Sequence, residues 1–179
     1  AGRPTAPQEG RPVTDTRRLG SGRAAITKHL GFGMTTGTAG ERPHPFAGRI
    51  TTLDHLAGGR VGWNVVTGYL PYAAENTQSR GQLDTFDHDA RYDHADEYLD
   101  VLYKLWEGSW EHDAVRADPV SGVYTEPGKV HPINHRGDHY TVPGLHVSAP
   151  SPQRQPVIVH AGASARGRPS ASAHAQSRF

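Results

Sequence analysis

Between Gly59 and Gly68 the chain reads Gly-Arg-Val-Gly-Trp-Asn-Val-Val-Thr-Gly, a short apolar run that breaks off in polar, turn-forming residues. Apolar content this dense marks a strand of a parallel sheet, covered on both faces. Further on, His88-Asp89-Ala90-Arg91-Tyr92 reads as a polar loop feeding the amino end of a helix. In an α/β chain, ligands collect where the carboxyl ends of strands and the amino ends of helices open onto one crevice. The two segments therefore constrain both the fold and the place to look for function.

The rest of the chain repeats this alternation. Residues 24–28 read as the tail of a helix, and residues 29–38 as a strand ending in a Thr/Gly loop. Residues 43–56 form a helix with Pro near its start and an apolar stripe of Phe46, Ala47, Ile50, Leu53 and Leu56. Gly58-Gly59 stops it, and 60–66 is the next strand. Residues 67–87 are a polar loop with a short helical tendency at 72–76. The clearest helix spans 92–106, with Tyr92, Ala95, Leu99, Leu102, Tyr103 and Trp106 on one face. Asp87 or Asp89 can cap it, and Gly108 ends it. Residues 111–153 are a loop-rich insertion with turn signals at Ser121-Gly122, Pro127-Gly128, Arg136-Gly137 and Pro143-Gly144, where 139–142 is one arm of a hairpin. Residues 156–160 are a buried strand, 161–167 a small-residue loop, and 167–179 a weak, uncapped helix. Three strands alternating with helices predict a parallel sheet built of βα units. A (β/α)8 barrel takes eight strands and about 250 residues. At 179 residues, the pattern fits either a small open sheet or a fragment of a barrel.

Composition narrows the functional classes. The first 23 residues are basic, rich in Pro and Gly and without apolar period, which predicts disorder. With no cysteine, disulfides and thiolate metal sites are excluded, which suits the cytoplasm. No apolar stretch serves as a signal peptide or a membrane span. A formal net charge of +1 provides no field for nucleic acid, although the 12 histidines can add charge near pH 6.

Four places carry candidate chemistry. Asn64 and Thr67 end a strand, where a buried amide meets either a flat heteroaromatic ligand or loop backbone. His88 and Tyr92 stand four apart at a helix start, a place that favours anions, and Arg91 adds charge. Tyr92 also begins the apolar stripe and serves equally as core. The run Ala161-Gly162-Ala163-Ser164-Ala165-Arg166-Gly167 follows a strand and lets backbone N–H groups approach an anion, or simply turns the chain. It lacks the Gly-Lys-Ser/Thr ending of a phosphate-binding loop and is not a dinucleotide fingerprint. His88 and Asp93-His94 suggest a metal, but no fixed ligand spacing supports it, and Asp at a helix start is ordinary capping. No Gly-x-Ser-x-Gly elbow is present. Trp106-Glu107-Gly108-Ser109-Trp110-Glu111 closes a helix end rather than binding sugar. His131, His135, His139 and His146 read as surface residues of the insertion.

Taken together, several strings are distinctive. They are Thr52-Leu53-Asp54-His55-Leu56, Gly59 to Thr67, His88-Asp89-Ala90-Arg91-Tyr92-Asp93, Ala95-Asp96-Glu97-Tyr98, Leu105-Trp106-Glu107-Gly108-Ser109-Trp110, Lys129-Val130-His131-Pro132-Ile133 and Ala161-Gly162-Ala163-Ser164. The chain resembles, over residues 24–179, the flavin-dependent monooxygenases of the bacterial-luciferase-like superfamily, in the nitrilotriacetate and dibenzothiophene-sulfone branch. The resemblance implies the central strands and helices of a (β/α)8 TIM barrel, with the first and last strands missing. It also implies reduced flavin mononucleotide (FMN) from a separate NAD(P)H-dependent flavin reductase, O2 as co-substrate and a small organic substrate. Thr38, Asn64, His88, Tyr92 and Ser164 fall on its FMN contacts, Tyr92 and Ser164 toward the phosphate, Thr38 and Asn64 toward the ring. Gly40, Arg42 and Gly48 depart from the pattern. The implied reaction inserts one oxygen of O2 beside a C–N or C–S bond. No catalytic residue is assigned; His88, the one acid–base candidate, falls on a cofactor position. Homo-oligomerisation stays open. An open partial barrel exposes strand edges, so the alternative expectation is an inactive truncated polypeptide with at most residual flavin binding. A small α/β hydrolase or metal enzyme is a third reading, disfavoured by the missing motifs.

Overall fold

The computed structural model describes residues 15–67, 88–160 and 164–178. Its centre is a four-stranded sheet of β1 (Phe32–Gly37), β2 (Val61–Val66), β7 (Val157–His160) and β8 (Ser177–Arg178), in the order β1-β2-β7-β8. All the pairings are parallel. Met34, Trp63 and Ile158 lie side by side in register, as do Thr35, Asn64 and Val159. Side chains alternate across a strand, so the first row belongs to the helix-covered face and the second to the other.

Helix α1 (Thr16–Ile26), α2 (Pro43–Ala57), α3 (His88–Tyr103) and α4 (Gly167–His174) accompany the sheet. Each bound of α2 has a local cause. Pro43 starts it with a preset φ, and Gly58, left-handed at φ 59, ends it by donating to the carbonyls of Asp54 and His55. Phe46, Ala47, Ile50 and Leu53 are buried as the stripe predicts, but Leu56 is 60% exposed and Ala57 takes the buried position. Trp63 is fully buried between α2 and α3, its ring 4.6 Å from Phe46 and 6.2 Å from Tyr98. Its indole N–H donates to the Thr36 carbonyl at 3.0 Å, so the one polar atom of the ring is satisfied.

Several expectations need correction. Helix α1 begins inside the segment read as disordered. Its apolar periodicity is weak, and tertiary partners hold it. Ala24 is buried, and the Arg60 guanidinium reaches the Ala24 carbonyl at 3.2 Å and the Leu30 carbonyl at 2.9 Å. Strand β2 buries Val61, Trp63 and Val65 but leaves Gly62, Asn64 and Val66 half-buried, so it is covered on one face among the described residues. The main helix starts earlier, at His88, and its last turn, Lys104–Gly108, widens to a π-helix. The terminal segment is not helical throughout: Ser177–Arg178 leaves α4 to pair with β7. The short helix expected at 72–76 lies outside the described residues.

The insertion forms two hairpins, β3 (Val115–Asp118) with β4 (Val123–Thr125) and β5 (His135–Arg136) with β6 (Thr141–Val142). Two of its histidines are not at the surface. His146 is 2% exposed, shares a hydrogen bond with the Thr51 hydroxyl at 2.9 Å and accepts Trp110 Nε1–H at its carbonyl at 2.7 Å. His44 and His55 of α2 donate to the carbonyls of Leu145 and Ala149, each at 3.1 Å. The segment 145–149 is thus clipped along α2. His135 is buried against Glu97 of α3. Both histidines were misread because their partners lie far away in sequence.

Candidate functional site

The candidate residues gather at the carboxyl edge of the sheet and the helix ends beside it. Thr38 directly follows β1. Its N–H donates to the Val66 carbonyl at 3.0 Å, which holds it beside the end of β2. The residue is 1% exposed, yet its Oγ1 has no hydrogen-bond partner among the described residues. Asn64 lies on β2 opposite Thr35, and its Nδ2 donates to the Thr35 hydroxyl at 3.2 Å. The amide oxygen, Oδ1, is buried without a partner among the described residues. Two orphaned polar atoms on neighbouring strands mark a place built to meet something polar.

The second half of the site joins α3 to the turn before α4. Tyr92, one turn into α3, is buried, with the Arg166 guanidinium 5.9 Å from its ring centroid and the His160 ring at 6.1 Å. Ser164 opens α4: its hydroxyl oxygen accepts the Gly167 N–H at 2.9 Å and its carbonyl accepts Arg168 N–H at 3.0 Å. The hydroxyl hydrogen remains to be donated. Arg166, two residues beyond Ser164, thus ties the turn before α4 to Tyr92. The register sets Asn64 opposite Val159 and Val65 opposite His160, so the two halves share the same sheet edge. His88 is the first residue of α3, but its side chain lies outside the described residues, as do residues 161–163.

Charge in this region is largely paired. Arg166 reaches Asp93 at 2.7 Å and Asp96 at 2.6 Å. Asp96 also accepts from Ser170 at 2.7 Å and lies 3.3 Å from His174 Nε2. Burial alone would raise the Asp96 pKa, but hydrogen bonds from His174, Arg166 and Ser170 outweigh it and hold the carboxyl at about 2. The same carboxylates hold the Arg166 pKa above its ordinary value. The Arg91 Nε, in the first turn of the helix, is buried without a partner among the described residues. Two of the residues that prompted a metal reading have other uses. Asp93 pairs with Arg166, and His94 shares a 2.7 Å hydrogen bond with the Tyr140 hydroxyl. Among the described residues no group of three or more metal-ligating side chains converges.

One functional candidate escaped the sequence reading. His160, the last residue of β7, is 4% exposed, and neither ring nitrogen has a partner among the described residues. Its place immediately before the small-residue loop is the only sequence signal for it. Burial and the nearby His174 lower its pKa, and Asp96 partly offsets them.

Parallel strands flanked by helices define an α/β fold of βα units, with its candidate polar groups at the carboxyl ends of the strands. The profile of the luciferase-like monooxygenase family matches residues 10–177, so the match extends into the segment expected to be unrelated. The chain belongs to this family, and its sheet and helices are part of a (β/α)8 barrel. It is 54% identical over 168 residues to the dimethyl-sulfide monooxygenase of Hyphomicrobium sulfonivorans, covering 94% of this chain and 34% of that protein. The long-chain alkane monooxygenase of Geobacillus thermodenitrificans is 53% identical, with 94% of this chain and 38% of the relative covered. The crystal structure of a long-chain alkane monooxygenase superposes with a TM-score of 0.89, at 53% identity and with the same two shares covered. A riboflavin lyase solved with modified FMN and riboflavin gives a TM-score of 0.84 at 41% identity, over 94% of this chain and 37% of that one. Dibenzothiophene-sulfone and nitrilotriacetate monooxygenases are among the relatives. The chain thus spans about a third of the length of the proteins it matches.

Proposed function

We propose that this chain supplies the flavin-holding part of a two-component monooxygenase, which takes reduced FMN from a separate NAD(P)H-dependent flavin reductase. The observation that carries the reading is the pair of buried atoms at the sheet edge without partners among the described residues, Thr38 Oγ1 and Asn64 Oδ1, supported by Arg166 on the Tyr92 ring. These groups fit the two ends of FMN. A hydroxyl and an amide oxygen suit the donors and acceptors of a heteroaromatic ring edge. A serine at a helix start and the amino end of α3 suit a phosphate. Reduced FMN held there would supply the two electrons with which O2 gives one oxygen atom to the substrate and the other to water. The protein's part is to hold the ring edge through Thr38 and Asn64, fix the phosphate end through His88, Tyr92 and Ser164, and exclude water.

The proposed substrate is a small organic compound oxygenated beside a C–S or C–N bond. The relative named for dimethyl sulfide supports the C–S form. Among the described residues no helix is long and apolar enough to cross a membrane, and a cytoplasmic site of action is proposed from the cysteine-free composition. Flavin fluorescence titration tests the cofactor reading. FMN binding should be saturable, and Asn64→Ala should weaken it about tenfold, the effect of one well-placed hydrogen bond. A chain that binds no flavin would sink the proposal. Turnover of dimethyl sulfide, dibenzothiophene sulfone, nitrilotriacetate and a long-chain alkane, with reductase, NADH and air, tests the bond type. Oxidation of the alkane alone would refute the C–S and C–N assignment.

A further inference from the structure

His160 is buried at the end of β7 with both ring nitrogens unpartnered among the described residues. An imidazole shut away from water without a hydrogen bond is costly, and native interiors seldom keep one. The groups around it do not fill the need. From α3, Tyr92 lies ring to ring at 6.1 Å, and Asp96 acts on it only through its charge. From α4, His174 likewise acts through charge, while its own nitrogens serve Asp96 and the Tyr103 hydroxyl. Arg166, on the Tyr92 ring, is held by Asp93 and Asp96. On the sheet, Val65 and Arg178 are its register neighbours.

An ionised phosphate presents acceptor oxygens and requires donors. At this edge Ser164 has one hydrogen to donate, the amino end of α3 and Arg91 offer further N–H groups, and the Arg166 cation is already matched by two carboxylates. His160 stands at the strand end that leads into Ser164 and next to Tyr92, the two residues assigned to the phosphate end. We propose that the His160 imidazole donates a hydrogen bond to the phosphate of bound FMN, as a further cofactor-binding residue reaching in from the helix side of the sheet. This rests on the flavin reading above. A neutral imidazole has one N–H to give, which is sufficient.

FMN and riboflavin differ by the phosphate alone, so the pair isolates this contact. Fluorescence titrations of the chain and of His160→Leu should show FMN affinity falling about tenfold, the size of one hydrogen bond to a charged group, while riboflavin affinity is unchanged. His160→Gln, which keeps a side-chain N–H, should recover most of the FMN affinity. Near-UV circular dichroism establishes that each variant is folded. If His160→Leu does not fold, the unsubstituted chain still decides. The 15N resonances of the His160 ring should shift on adding FMN and stay in place with riboflavin. Equal losses for both flavins, no loss for either, or ring resonances indifferent to FMN would overturn the proposal and leave a buried water as the partner of His160. A chain that binds neither flavin would instead overturn the cofactor reading itself.

Discussion

Single atoms decide several positions in this chain. At Gly137 a Cβ would stand 2.6 Å from Glu97 Cδ and 2.9 Å from His135 Nε2, with a hydrogen-bonded carboxylate and a buried ring to move aside. Glu97 occupies that space because it accepts the N–H groups of His139 at 2.9 Å and Tyr140 at 2.8 Å, as well as His135 Nε2 at 3.1 Å. Burial raises its pKa, but these hydrogen bonds prevail and lower it below the ordinary carboxyl value. Gly137→Ala should therefore destabilise the fold by roughly 1–3 kcal/mol. Gly144→Ala, where nothing lies within 4 Å of the added carbon, should stay within about 0.5 kcal/mol. Urea midpoints of the two variants check the contrast. The Arg136-Gly137 turn was legible in the sequence. Its steric demand was not, because Glu97 approaches from a helix far earlier in the chain.

At the scale of elements, histidines and one aspartate tie the pieces together. His94 and His146 are each lowered from 6.5 to about 4, chiefly by burial; His139 adds to the effect at His94 and His44 at His146. Both remain neutral in the fold where the unfolded chain would be protonated. Between pH 6.5 and pH 4 the unfolded state binds more protons, so stability rises with pH across that window and is lost as pH falls through it. Asp96, at about 2 against 3.8, has the same sign but acts only below that range. Urea midpoints should accordingly decline from about pH 7 to about pH 5, before the carboxylates matter. A flat profile there would show that the histidines titrate freely. Asp96 makes its own prediction. Asp96→Asn removes the charge that unites Arg166, Ser170 and His174, so α4 should loosen from α3 at a cost of about 2 kcal/mol. Calorimetric unfolding checks the stability, and FMN titration should show a parallel loss as Arg166 leaves the Tyr92 ring. The bounds of α2 were legible from Pro43 and Gly58. Those of α1 and β8 were not, because Arg60 and β7 provide what their own residues lack.

At the scale of the whole molecule, the sheet has one finished face and one open face. Trp63, Met34 and Ile158 are sealed beneath the helices, while Val157 is 44% exposed and Gly33 and Thr35 are exposed on the other face. Among the described residues, β1 and β8 each pair on one side only. Unpaired strand edges recruit further strands. The 179-residue chain should accordingly self-associate with rising concentration in light-scattering measurements. A longer polypeptide carrying further strands of the barrel should not. A strictly monomeric chain at all concentrations would argue that residues outside the described set already cover the edge.

The sequence by itself determined the alternation of strand and helix, the parallel sense of the sheet, the stops at Gly58 and Gly108, and the family. Each of these is written in local periodicity, in turn chemistry or in contiguous strings. The family resemblance also pointed to Thr38, Asn64, His88, Tyr92 and Ser164 as the residues expected to meet a cofactor. Only the tertiary structure decided that Arg166 lies on the Tyr92 ring, that His135 and His146 are buried, that α1 is a helix, and that His160 has no partner among the described residues. Those outcomes depend on groups distant in sequence and on what burial leaves unsatisfied, which no local pattern records.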